Sequence, residues 1–225
     1  MVSVIFYNLI CKEINEIVKP LGFKKYNRFF YRITEDGAVQ QFCLLCLNNS
    51  FTIRFSLSSV YCDNDRTKEG DEIFQIINGS NKWLGDNTKT TQINGMTVVY
   101  AHKDYSYTDA TDICIKALQE ILLPYFENAK SIHEAHKCIL KKSNNVLDIR
   151  NIGLFLAKEE YDKVKNILNH LIDNKDRLNK KWWKEKESEF QELLEAINSQ
   201  DINFIQKYKE NKKALTYSEF KISRT

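Results

Sequence analysis

The chain has 225 residues, 43% of them hydrophobic and 12% aromatic, enough to bury one substantial core or a core domain with a helical appendage, which argues against general disorder. Its 33 basic and 30 acidic residues nearly cancel, to +3, so nucleic-acid binding through an overall positive field is disfavoured and any basic patch has to be local. Seven glycines and two prolines leave little material for Gly-rich phosphate loops or a flexible interdomain linker.

The largely apolar start, residues 2–11, lacks a positive n-region and a small-x-small cleavage site and runs directly into a charged amphipathic pattern. It therefore reads as a first helix rather than an export signal. Ile10, Ile14, Ile17 and Leu21 follow a 4-3-4 spacing that predicts one core-facing stripe, and Pro20 and Gly22 stop the helix. No apolar run approaches the roughly 20 residues that a membrane-spanning helix needs. No membrane association and a cytoplasmic address are expected.

From Phe29 the period becomes that of strands. Residues 29–34 lead to the turn signal Asp36-Gly37, residues 39–47 run back, and Asn48-Asn49-Ser50 turns the chain again. In the next run Phe51, Ile53, Phe55 and Leu57 alternate on one face, which predicts an antiparallel meander with one side buried under a helix. Further along, residues 72–77 read as a strand, Trp83-Leu84 as an anchor, and residues 85–92 as a long loop or weak edge. Asn94-Gly95 is a hairpin turn ahead of residues 96–101.

The helical period returns from Asp109, where Ile113, Ala117, Leu118 and Ile121 form an inner side and Pro124 kinks or ends the helix. Ser131-Ile132-His133-Glu134 has capping-box spacing, predicting a helix from Ile132 to about Lys142. Beyond Asn145 everything reads helical. Tyr161, Val164, Leu168 and Leu171 repeat at 3-4-3, and Phe190, Leu194 and Ile197 do likewise. The expected domains are an α+β domain over residues 1–142 and a helical extension over 143–225 packed on it.

Six cysteines, Cys11, Cys43, Cys46, Cys62, Cys114 and Cys138, are scattered over a chain with ample core and read as reduced, mostly buried thiols. Cys43 and Cys46 have C-x-x-C spacing, but on a strand residues three apart point to opposite faces, so the sulfurs are poorly placed to share a metal. His133 and His136 are three apart rather than the four of a zinc-protease helix and read as a surface pair, with a metal site of another kind as the alternative. Asp63, Asp65, Asp71 and Glu72 lack EF-hand spacing and read as a solvated loop. No nucleophile-elbow, Walker-type or dinucleotide-binding motif occurs in the sequence.

Two stretches combine basic and aromatic residues. Lys24, Lys25, Arg28, Arg32 and Arg54 could gather where the first strand leaves the helix. There strand alternation puts Arg28, Phe30 and Arg32 on one face and Phe29, Tyr31 and Ile33 on the other. Such a face can stack bases and contact phosphates, or lay long side chains over apolar surface. In Lys180-Lys181-Trp182-Trp183-Lys184 the adjacent indoles point about 100° apart on a helix, so both can pack or one can serve as a contact anchor.

The element Leu21-Gly22-Phe23-Lys24-Lys25, the aromatic-basic strand ending in Arg32, the strand Phe51-Thr52-Ile53, and Leu123-Pro124-Tyr125-Phe126-Glu127 ahead of a capped helix occur in that order. Together they resemble the bacterial family known as domain of unknown function 4304, over roughly residues 5–140. The resemblance implies an α+β domain and supplies no catalytic residues. Residues 153–161 faintly resemble one tetratricopeptide-type helix pair. No 34-residue repeat accompanies them, and they read as an ordinary helical hairpin.

The sequence thus predicts an α+β protein, with an antiparallel sheet of about four to six strands packed on helices and an all-helical C-terminal extension. Its expected role is a non-catalytic protein-binding module, with an immunity-like role as one form of it, whose contact residues are Arg28, Phe30, Arg32, Arg54, Trp182 and Trp183. No cofactor is expected. One rival is a metal-dependent hydrolase or nuclease drawing carboxylates, His133 or His136 from distant segments; the other is single-stranded nucleic-acid binding.

Overall fold

The computed structural model describes residues 4–26, 29–47, 50–62, 71–77, 91–93, 96–98, 107–142 and 149–220. Its fold is α+β. Five strands, β1 (Lys24–Tyr26), β2 (Phe29–Ile33), β3 (Ala38–Leu47), β4 (Ser50–Ser59) and β5 (Asp71–Ile77), form one sheet in chain order. A separate hairpin joins β6 (Thr91–Ile93) to β7 (Met96–Val98). The helices are α1 (Val4–Val18), α2 (Tyr107–Ala117), α3 (Leu123–Glu127), α4 (Ile132–Lys142), α5 (Arg150–Ala157), α6 (Tyr161–Asp173), α7 (Lys180–Asn198) and α8 (Ile202–Glu219). None of the described helices is long and apolar enough to cross a membrane.

The chain divides into two compact units. The first comprises residues 1–34, 39–57 and 65–130; the second comprises 35–38, 58–64 and 131–225. The division therefore falls after Lys130 rather than after Lys142, and α4 belongs with the helical unit. Two short pieces of the strand region belong there as well.

In the first unit, α1 ends as expected but its buried stripe is shifted. Ile10, Cys11, Ile14 and Val18 are buried, whereas Leu21 is exposed. The cause is a 3-10 turn over Lys19–Leu21 that Pro20 favours, closed by Gly22 at φ 85°, where its N–H bonds to the Lys19 carbonyl. The tighter turn rotates Leu21 off the helical stripe. Phe23, the next residue, is buried against Phe42 and Phe126, with ring centroids 5.7 Å away in both cases. Phe30 stacks on Phe42 at 4.8 Å, and Phe55 meets Phe126 edge-on at 6.2 Å. These rings form the centre of the unit's core.

The antiparallel meander is present, with Phe30 opposite Phe42 and Ile33 opposite Val39. Strand β4 alternates as predicted: Ile53, Phe55 and Leu57 are buried, and Arg54, Ser56 and Ser58 are half-buried between them. Strand β3 does not alternate, because every residue from Ala38 to Leu44 is buried and both faces of the strand are covered there. In the second hairpin Ile93 pairs with Met96, and the predicted turn residues Asn94 and Gly95 lie outside the described residues. Trp83, Leu84 and the residues of the 63–70 loop lie outside the described residues.

Pro124 does not end its helix. A π-helical turn over Leu118–Leu122 joins α2 to α3, with the Leu123 N–H reaching back five residues to the Leu118 carbonyl. The wider turn shifts the hydrogen-bond register just where proline lacks a donor, so the helix continues. In the second unit the predicted capping box closes α4. The Glu134 N–H donates to Ser131 Oγ at 3.2 Å, and the Ser131 N–H donates to Glu134 Oε2 at 3.1 Å. Asp36, from the β2–β3 turn, adds a second cap by accepting from the Ile132 N–H at 2.7 Å.

Helices α4 to α8 form a ladder in which each packs on the next in chain order. Its core is drawn from α5 through α8, with Phe155, Val164, Ile167, Leu168, Phe190 and Leu193 among the buried residues. Leu194 and Ile197, predicted on the inner stripe of α7, lie at its margin. Helix α5 is buried all round from Asn151 to Leu156 and approaches residues 61–62 closely: a Cβ on Gly153 would lie 2.6 Å from the Cys62 backbone nitrogen. Across the same segment, Gly37 at φ 93° accepts from the Val60 N–H at 2.9 Å, and the Thr216 hydroxyl donates to the Val60 carbonyl at 2.8 Å.

Candidate functional site

Most of the residues expected at a contact face are engaged in holding the fold. Phe30, predicted beside Arg32 on an open strand face, is 0% exposed because β2 is covered on both sides. Arg32 is a clamp. Its guanidinium donates to the Leu21 carbonyl at 2.9 Å, to Gln40 Oε1 at 2.8 Å and to Glu127 at 3.0 Å, and lies 4.8 Å from the Phe23 ring centroid. Gln40, wholly buried, passes the link on by donating to the Phe126 and Ala129 carbonyls at 2.7 and 2.9 Å. Hydrogen bonds from Lys130 and Arg32 hold the Glu127 carboxyl below its ordinary range. The fork of Arg32 thus ties the end of the α1 turn to the end of α3. Arg54 is half-buried on β4, and Arg28 lies outside the described residues.

The histidines separate. His133 is exposed on α4, but His136, expected at the surface, is 3% exposed and meets Phe155 edge-on at 4.6 Å. Residues three apart lie only about 60° apart round a helix, so the edge of the buried stripe runs between them, with Ala135 and His136 inside it and His133 and Glu134 outside. The Lys158 ammonium lies 3.4 Å from His136 Nδ1. An ammonium only donates, so Nδ1 accepts and the ring proton sits on Nε2, a buried atom with no hydrogen-bond partner among the described residues. Burial, then the charge of Lys158, holds the ring neutral with a pKa pushed down to about 4. Lys158 and Lys163 both pair with Glu160, at 2.6 and 2.5 Å. The described residues contain no group of three or more His, Cys, Asp or Glu side chains that could hold a metal ion.

Cys11, Cys43, Cys62 and Cys114 are buried free thiols, and Cys138 is half-buried. Burial pushes both the Cys11 and the Cys114 thiol up, which keeps them protonated.

A second buried polar group was not anticipated. Lys209, Lys212 and Thr216 share the inward stripe of α8 with Ile205 and Phe220. Lys212 pairs with Glu189 of α7, which also accepts from Tyr208 at 2.6 Å and from Lys186 at 3.0 Å. Burial raises the Glu189 pKa, but its three donors outweigh that effect and hold the carboxyl below its ordinary range. The sequence did carry a signal, since two lysines occupy positions of a 4-3-4 stripe that apolar residues normally fill.

The tryptophans divide as the 100° offset implies. Trp183 is 7% exposed in the core, whereas Trp182 is half-buried at the core margin with its ring 6.0 Å from Phe190. In the segment that holds Trp182, Lys175, Arg177, Lys180, Lys181 and Lys184 are all exposed, with the exposed acids Asp176 within it and Glu185 just beyond. Asn179 caps α7 by accepting from the Lys181 and Trp182 N–H groups, each at 3.1 Å. The first turn of α7 contains no acidic residue. Lysines there face the positive end of the helix dipole, where cations are locally unfavourable.

No family model, no curated protein and no solved structure matches this chain.

Proposed function

We propose that this chain is a non-catalytic protein-binding module, with its helical unit as the recognition element. The observation that carries this reading is the ladder α4 to α8, in which helices pack on their chain neighbours and present outward faces one beside the next. Arrays of that kind offer an extended surface whose outer residues vary without disturbing the core. The inward polar groups are consistent with a scaffolding role: His136 is neutral, and the half-buried Lys158 and the buried Lys212 are each matched to a carboxylate.

The test is a scan of the outward faces. Lys137→Glu on α4, Asp162→Lys on α6, Lys181→Glu on α7 and Lys207→Glu on α8 alter exposed positions. Each variant is used as bait, and co-purifying proteins are quantified by mass spectrometry. A binding module loses a specific protein with one face altered and retains it with the others. An identical set of proteins from wild type and all four variants contradicts the reading.

A further inference from the structure

We propose that the corner formed by the turn before α7 and the first turn of α7, residues 175–184, is a docking surface for an acidic segment of a partner protein, with Trp182 as its apolar contact. This rests on the protein-binding reading above and names the partner's chemistry. The first observation is a charge imbalance. Five exposed cations, Lys175, Arg177, Lys180, Lys181 and Lys184, surround one exposed acid, Asp176.

The second observation is the absence of internal neutralisation. Some lysines of the helical unit are answered by carboxylates, Lys158 and Lys163 by Glu160 and Lys186 and Lys212 by Glu189, while single exposed lysines such as Lys137 and Lys207 are not; the corner differs in gathering several unanswered cations in ten residues. Arg177, Lys180, Lys181 and Lys184 form no ion pair with any described residue, and Lys175 reaches Glu187 only at 4.0 Å. Three of these cations sit on the first two turns of α7, where the helix dipole opposes them. A surface that keeps unpaired cations at a position that disfavours them is poised for an external anion. Asn179 already satisfies the Lys181 and Trp182 N–H groups, so lysine side chains rather than backbone donors would meet it.

Charge complementarity favours an acidic polypeptide over other polyanions. Among the described residues the exposed large aliphatic residues Leu9, Leu21, Ile202 and Leu215 all lie outside this segment, so it lacks the apolar face of a membrane anchor. A half-buried indole beside lysines suits a peptide that alternates carboxylates with an apolar side chain.

The experiment is fluorescence anisotropy of the full chain with a short fluorescein-labelled Glu-rich peptide carrying a central Leu. Oligothymidine and phosphatidylserine vesicles serve as competitors. The variant is K180E/K181E/K184E, and the charge-matched control K116E/K137E/K207E reverses three exposed lysines elsewhere. The corner variant should bind the peptide at least about tenfold more weakly while unfolding at a higher temperature, because carboxylates now face the helix dipole favourably. The control should stay within about twofold of wild type. No peptide binding by wild type, equal losses in both variants, or tighter binding of oligothymidine or vesicles than of the peptide overturns the proposal. If the bait scan loses its protein with Lys207→Glu and not with Lys181→Glu, this corner is wrong while the protein-binding reading stands.

Discussion

Acidification should weaken the helical unit through His136 before its carboxylates are protonated. The ring is 3% exposed, with Lys158 at its Nδ1, Glu160 and Lys163 beyond, and His133 on its own helix. Its folded pKa is about 4 against an ordinary 6.5. The unfolded chain therefore takes up the proton first as pH falls, and the contribution to stability is complete above pH 6.5 and lost progressively toward pH 4. Between pH 7.5 and 4.5 this linkage amounts to about 2.5 kcal/mol for the one group. Glu127, Glu160 and Glu189 also have lowered pKa values and add losses at the acid end, so the effect has to be isolated by difference. Urea unfolding of wild type and His136→Gln at the two pH values does so. The variant should lose about 2.5 kcal/mol less than wild type over that range. Equal losses, or an NMR titration placing the His136 pKa above 6, would refute the burial argument.

Three further outcomes follow from individual contacts. Glu189→Gln leaves the Lys212 ammonium buried against a neutral amide and should cost about 2–3 kcal/mol in chemical denaturation, whereas adding Lys212→Met should recover most of it; a double-mutant cycle with no coupling contradicts the pairing. Gly153→Ala places a Cβ 2.6 Å from the Cys62 backbone and should destabilise by about 3 kcal/mol or more in the same measurement, while an unchanged midpoint would show that the approach is not close. Gln200 holds φ 56° between α7 and α8, a conformation glycine adopts freely, so Gln200→Gly should raise stability by about 0.5–1 kcal/mol; a lower thermal midpoint would count against that backbone geometry.

Where local chemistry decides the outcome, the sequence was a good guide. The Ser131–Glu134 box, the alternation on β4 and the 3-4-3 stripe of α6 each depend on residues close together in the chain. It misled where burial depends on what lies across the sheet or beside the helix. Period-2 alternation separates Phe30 from Tyr31, yet both are buried because β2 is covered on two faces. Arg32 read as a contact residue because its partners, Leu21, Gln40 and Glu127, lie on three other elements, the last of them 95 positions away. The domain boundary moved for the same reason: Asp36 caps α4 from 96 positions away, a contact no window of sequence contains. Of the proposed contact residues, Trp182 keeps an exposed edge, and the cations beside it were legible as composition but not as a group lacking internal partners.

We propose that the Lys175–Lys184 corner of the helical unit engages another protein. Its most direct test is a photo-crosslinking residue incorporated at position 181, with position 207 on α8 as the reference, both exposed. A discrete protein adduct is expected at 181, absent at 207 and suppressed by excess Glu-rich peptide. A smear common to both positions, or an adduct at 207 alone, would contradict it.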